Sequence, residues 1–236
     1  MRLNDQPVEV PISDALISKL RDLFEMNDPV TLVIESGTHL GLGTTTLVAE
    51  SYEMAIKRQD ARFRFYSIEM IRNSFMEAQK NLSKYSEYLT VLNGMTVGFD
   101  EAIDFIKSDL FLIEHEKYPQ VITDDENPVW YYVNEMYCNI VPYPLAGERL
   151  IERLIVENRD HEKILFVLDS CGGIGYLEFR KVKTFMDHRE YYLFLDDIYH
   201  CKHWRSREDI EDNIDGRWEE ILRTDRTLLA HRKAAK

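Results

Sequence analysis

Cysteine is scarce: three in 236 residues. Cys138, Cys171 and Cys201 are odd in number, widely spaced and without a C-x-x-C pair, which argues against a disulfide framework and for a reduced, cytoplasmic setting. Residues Met1 to Val10 lack the apolar core of a secretory leader, and no run of 18 apolar residues suggests a membrane helix. Basic residues are outnumbered, 29 against 42 acidic, for a net charge of −13. A phosphate backbone and an anionic membrane are therefore poor partners, since both need a basic surface. No Pro-, Gly- or Ser-rich linker interrupts the chain, so one domain over residues 1–236 is expected, with 44% hydrophobic residues to build its core.

What the chain does have is a strand, a glycine turn and a helix in direct succession over residues 30–46. Val30 to Ile34 is an apolar, β-branched run of the kind buried on both faces of a parallel sheet. Glu35 ends it, Gly37, Gly41 and Gly43 let backbone turn sharply and approach a ligand, and a helix resumes over Thr44 to Met54. No lysine precedes Thr44 or Thr45, so the phosphate-cradling loop of NTPases is excluded, and the order G-x-x-x-G-x-G is not the dinucleotide fingerprint. A carboxylate at the strand end repels a pyrophosphate and attracts an ammonium group. S-adenosylmethionine carries one on its methionine part and is the expected cofactor.

The remaining elements alternate strand and helix. Leu16, Ile17, Leu20, Leu23 and Phe24 recur at helical spacing in Ile12 to Met26. Arg62 to Ile68 alternates as a second strand and ends at Glu69, placed to accept both hydroxyls of a ribose; the plainer reading is a solvated glutamate before the helix at Arg72. Leu89 to Leu92 is a third strand, with Asn93-Gly94-Met95 where an adenine edge would lie. A helix is expected over Phe99 to Ile106. The aromatic and proline-rich stretch at about 107–149 reads as a lid over the substrate or as core and intersubunit packing, which leaves room for a homo-oligomer. Leu150 to Val156 returns to helix.

Ile164 to Leu168 and Tyr191 to Leu195 are two further apolar runs, ended by Asp169 and by Asp196-Asp197. On neighbouring strands these three carboxylates would form an oxygen-rich site suited to magnesium, whose charge would relieve their mutual repulsion. The alternative is three acids merely solvated at strand ends. Trp218 to Arg223 and Thr227 to His231 read as a closing antiparallel hairpin. The fold class is thus α/β, a doubly wound, mostly parallel sheet with a C-terminal hairpin.

In order and spacing, Glu35-x-Gly37, Glu69, Asp169 and Asp196-Asp197 resemble class I S-adenosylmethionine-dependent methyltransferases. Within that class the pattern is most similar to the metal-dependent macrocin and mycinamicin O-methyltransferases and the cephalosporin hydroxylase group. The resemblance implies that Glu35 and Gly37 hold the methionine part of the cofactor and Glu69 its ribose, with Thr38, Gly41, Gly43, Met70 and Gly94 also in the cofactor site. It implies that Asp169, Asp196 and Asp197 hold magnesium and that a hydroxyl of a small molecule, a sugar, glycoside or catechol, is methylated. One departure stands out: three residues after Asp169, where these families place a His or Lys base, this chain has Gly172. His200, with His203 nearby, is the substitute in reach; deprotonation by the metal alone is the favoured route. A change of chemistry, as in the hydroxylase-named relatives, and ligand binding without turnover are the two alternatives.

Overall fold

Apolar runs interrupted by amphipathic ones build a single seven-stranded sheet with helices on both faces. The computed structural model describes residues 14–55, 62–113, 127–139, 144–170 and 172–235. Strands β1 (Leu32–Ser36), β2 (Arg64–Glu69), β3 (Leu89–Asn93), β4 (Ile164–Leu168) and β5 (Tyr191–Leu195) are parallel. β6 (Trp218–Arg223) and β7 (Leu228–Arg232) close the edge antiparallel, giving the order β3-β2-β1-β4-β5-β7-β6. β1, β4 and β5 are buried at every position, which is why their sequences are continuous apolar runs.

One face of the sheet packs Val33, Phe65, Leu165 and Phe194 against α1 (Asp14–Glu25), α2 (Thr44–Met54) and α3 (Arg72–Asn81). On α1 the buried set Leu16, Leu20, Leu23 and Phe24 is the helical stripe legible in the sequence. The other face packs Ile34, Phe166 and Leu193 against α7 (Leu150–Glu157), α8 (Gly175–Phe185) and α9 (Trp204–Asp212). A third cluster joins α4 (Phe99–Ser108), α5 (Leu110–Ile113) and α6 (Pro128–Asn139).

Helix α6 lies where the sequence suggested an irregular aromatic insertion. Pro128 starts it, since a proline at a helix's first position forfeits no intrahelical bond. Tyr132, Val133 and Met136 then form its buried stripe. Trp130 and Tyr137, 62% and 51% exposed, stand off that stripe and hide its period in the sequence. The expected lid falls partly on residues 114–126 and 140–143, outside the described residues.

Strand order reverses between β1 and β4, where one crossover leads away to β2 and the other to β5. In an open α/β sheet that reversal opens a crevice at the carboxyl ends of the strands. Among the described residues no helix is long and apolar enough to cross a membrane.

Candidate functional site

The crevice holds a cleft lined by Gly37 and His39 after β1, Glu69 at the end of β2 and Met70 beyond it, Gly94 after β3 and Asp169 after β4. Helix α6 adds Glu135 and Met136 to its wall. Three acidic side chains thus face one cavity, an environment that favours a cationic ligand over a polyphosphate.

Glu69 is the best-held of these acids. Its Oε1 accepts the Ile71 backbone N–H and its Oε2 that of His39, both at 2.7 Å. Burial pushes its pKa up to about 7, while these backbone bonds act to hold it down. Each carboxylate oxygen has two lone pairs, so each keeps one for an incoming hydroxyl. Asn93 fastens the neighbouring strand by donating from Nδ2 to the carbonyls of Glu69 and Met70 at 3.0 Å.

The glycine turn divides into one residue at the cleft and two away from it. Gly37 has φ +85°, and a Cβ there would stand 2.1 Å from the Asp169 carbonyl oxygen, so only glycine lets the ends of β1 and β4 approach this closely. Gly41 and Gly43, expected in the cofactor site, do not line the cleft. The loop curls instead toward the end of α3: Asn81 Nδ2 donates to the Leu40 carbonyl at 2.9 Å, and a Cβ at Gly41 would meet Leu82 at 2.6 Å.

Glu35 and Thr38, expected to touch the cofactor, do not line the cleft either. Glu35 is 0% exposed beneath the turn; the Ser67 hydroxyl donates to its Oε2, and the Thr38 hydroxyl meets Ser67 Oγ in turn. The carboxyl therefore pins the turn to β2. Burial raises its pKa from 4.5 to about 8, opposed in part by the Ser67 and Thr45 hydroxyls.

That shift has a testable sign. A carboxyl with a raised folded-state pKa contributes stability that is complete below about 4.5 and lost as pH rises through about 8. Glu35→Gln keeps the shape without the charge. Its melting temperature relative to wild type should rise between about pH 5 and pH 9. A constant difference across that range would mean Glu35 ionises alike in the folded and unfolded chain.

Asp169, Asp196 and Asp197 come together as the sequence suggested, with an oxygen of each within 4.8 Å of the others. Consecutive strand residues project to opposite faces; Asp197 breaks that alternation with φ +57°, so its carboxylate can join that of Asp196. The acids are not unpaired, however. Lys202 Nζ lies 2.6 Å from Asp169 Oδ1 and 3.0 Å from Asp197 Oδ2. Arg226 meets Asp196 Oδ1 and Oδ2 at 2.9 and 2.8 Å and Asp197 Oδ1 at 2.9 Å. Thr44 Oγ1 donates to the remaining oxygen, Asp169 Oδ2, at 3.2 Å. The Lys202 ammonium stands between Asp169 Oδ1 and Asp197 Oδ2, where an ion ligated by both would have to lie, so the cluster with Lys202 in place does not fit a magnesium ion. Burial still raises the Asp169 pKa to about 6, against the lowering pull of Lys202.

Around Gly172 the space for a side chain is filled. A Cβ there would meet the Tyr132 hydroxyl at 2.3 Å, His200 Cε1 at 2.8 Å and Cys201 Sγ at 2.9 Å. His200 thus lies where the missing base would leave the backbone. Its Nδ1 accepts the Lys202 backbone N–H at 3.2 Å, which places the proton of the neutral ring on Nε2. Burial and the Lys202 ammonium hold its pKa below the ordinary histidine value. His203 is fully buried between the Leu168 carbonyl, 2.9 Å from Nε2, and Ser206 Oγ, 3.2 Å from Nδ1, and is structural.

Glu178 escaped the sequence reading. It is fully buried on α8 and accepts the hydroxyls of Ser36, Ser170 and Thr96, tying together the segments after β1, β4 and β3. The available signal was a carboxylate on the buried stripe of α8, four residues before Val182. Lys202 and Arg226 were missed as well.

No family model matches this sequence, and no curated protein matches it. Solved structures do. A candidate O-methyltransferase from Klebsiella pneumoniae superposes with a TM-score of 0.51 at 12% identity, covering 97% of this chain and 84% of that one. An O-methyltransferase from Bacillus cereus in complex with SAH gives 0.48 at 14% identity, over 94% and 82%. A candidate caffeoyl-CoA O-methyltransferase from Staphylococcus aureus gives 0.48 at 12%, over 95% and 86%. The chain has a Rossmann-like fold of the methyltransferase kind.

Proposed function

We propose that the cleft binds S-adenosylmethionine and that the chain transfers its methyl group to a hydroxyl of a small molecule. The observation that carries this reading is Glu69, a carboxylate clamped by two backbone N–H groups on the cleft wall, one crossover beyond the Gly37 turn. When bound, the cofactor supplies an electrophilic methyl group on a cationic sulfur. Glu69 holds the ribose hydroxyls, Met70 and Gly94 flank the base, and the acidic wall suits the positive charges of the methionine part. Asp169, the acid of the opposite wall, receives the proton that the acceptor hydroxyl gives up. No step runs through a metal, because the Lys202 ammonium stands between the carboxylates that would hold it. The nearer likeness to macrocin and mycinamicin methyltransferases rests on motif order alone, and a sugar, glycoside or catechol hydroxyl is the acceptor class it suggests.

Calorimetry tests the first half: S-adenosylmethionine should bind, and NADH and ATP should not. Glu69→Ala should weaken that binding at least about tenfold, since one charge-assisted hydrogen bond is worth about 1.5–3 kcal/mol. Unchanged affinity in a folded variant would remove Glu69 from the site. Labelled product formed on a panel of glycosides and catechols tests the second half. The fully partnered acids also favour a second reading, cofactor binding without turnover, which the same panel would reveal as binding without product.

A further inference from the structure

We propose that the acids after β4 and β5 are closed by the protein's own Lys202 and Arg226, so that the site works without a divalent cation, and that removing the Lys202 ammonium frees Asp169 Oδ1 and Asp197 Oδ2 to hold a divalent cation in its place. Magnesium bound by carboxylates needs oxygens at about 2.0–2.1 Å and near-octahedral geometry. Lys202 Nζ already bridges Asp169 Oδ1 and Asp197 Oδ2 at 2.6 and 3.0 Å, so an ion ligated by both oxygens would have to stand where the ammonium stands.

The lysine has little freedom to leave. Lys202 is 5% exposed, and its stem is packed against α8: a Cβ added to Gly175 would lie 2.6 Å from Lys202 Cγ. Charge balance points the same way. Two basic side chains face three carboxylates, so a dication added to the pairs would leave an excess of positive charge in a partly buried cluster. With the lysine charge removed, three carboxylates face Arg226 alone, and the deficit equals the charge of one dication.

The bearing of this inference on catalysis rests on the methyl-transfer reading, but its test reads cation binding and is independent of turnover. Full-length protein stripped with chelator is titrated with manganese chloride, followed by electron paramagnetic resonance of the free ion, and with magnesium chloride, followed by melting. The wild type should show no saturable binding and no shift in melting temperature. Lys202→Met keeps the length of the stem and should bind manganese, with melting raised by about 5 °C or more at an ion concentration a hundredfold above Kd. Lys202→Arg, which keeps a charge in place, should behave as wild type. A folded Lys202→Met that binds no manganese overturns the latent site. If Lys202→Met folds only when manganese is present, the site is supported. If it folds under neither condition, the wild type decides: saturable binding that Asp197→Asn abolishes overturns the proposal, and its absence upholds the metal-free site. Failure of S-adenosylmethionine to bind would count against the methyl-transfer reading and leave the cation result standing.

Discussion

Asp169→Asn should lower turnover about 10²–10⁴-fold while changing the affinity for S-adenosylmethionine by no more than a few-fold, the loss expected when a general base is removed. Asp169 lines the cleft, and burial raises its pKa to about 6 even with Lys202 beside it. At neutral pH the carboxylate is mostly ionised yet basic enough to receive a proton, and its oxygens retain lone pairs beyond those engaged by Lys202 and Thr44. Asparagine keeps the shape and cannot take the proton. In the wild type kcat/KM should rise about tenfold per pH unit up to about pH 6 and then level off, and Asp169→Asn should lose that limb.

His200→Ala is the counterpart. His200 does not line the cleft and its Nδ1 lone pair is engaged by the Lys202 backbone N–H, so the variant should stay within about tenfold of wild type. A loss beyond about a hundredfold in folded His200→Ala, with Asp169→Asn nearly unaffected, would reverse the two roles. Melting curves accompany both variants, because Asp169→Asn leaves Lys202 short of one partner.

Much of the sheet was legible because a strand buried on both faces must be apolar at every position, and Ile164–Leu168 and Tyr191–Leu195 are. The acids that end those runs were legible too, since strand ends share one edge of a parallel sheet. Their partners were not. Lys202 lies 33 residues from Asp169 and Arg226 lies 30 from Asp196, and no sequence period relates them. The magnesium site was therefore read from the acids alone, without the Lys202 and Arg226 that pair with them. Glu35 misled for a similar reason: a carboxylate at a strand end can point into the cleft or beneath the turn, and only the Ser67 and Thr38 hydroxyls on the far side of the turn decide. At Gly172 the sequence registered an absent base, whereas in space Tyr132, His200 and Cys201 fill the position. A base restored there by mutation would have to displace them.

The glycines of the turn make the sharpest test of which one serves the cleft. Gly37→Ala should cost about 2–4 kcal/mol of stability, one part from placing a side chain at positive φ and the larger from overpacking. For a chain of this size that is a fall of roughly 5–15 °C in melting temperature. The added Cβ would lie 2.1 Å from the Asp169 carbonyl oxygen and 2.9 Å from the Ser170 backbone nitrogen, both main-chain atoms that cannot rotate aside. Relief therefore requires the ends of β1 and β4 to separate, which moves Asp169 and opens the cleft, so S-adenosylmethionine binding should be lost along with stability. Gly41→Ala shares the positive φ, at +73°, but its obstacle is the flexible Leu82 side chain, so a smaller cost of about 1–2 kcal/mol is expected with binding retained. Gly43 has nothing within 4 Å of its added Cβ, but it caps α2 with φ −105° and ψ −119°, a backbone outside the regions L side chains favour, so Gly43→Ala should cost about 1 kcal/mol, roughly 2–4 °C in melting, with binding retained. Gly37 should stand apart from Gly41 and Gly43 in both melting and cofactor affinity, because it alone sits at the close approach of β1 to β4. Should Gly43→Ala abolish binding while Gly37→Ala leaves it intact, the cofactor would have to lie over the second half of the turn, and the cleft between Gly37 and Asp169 would not be its site.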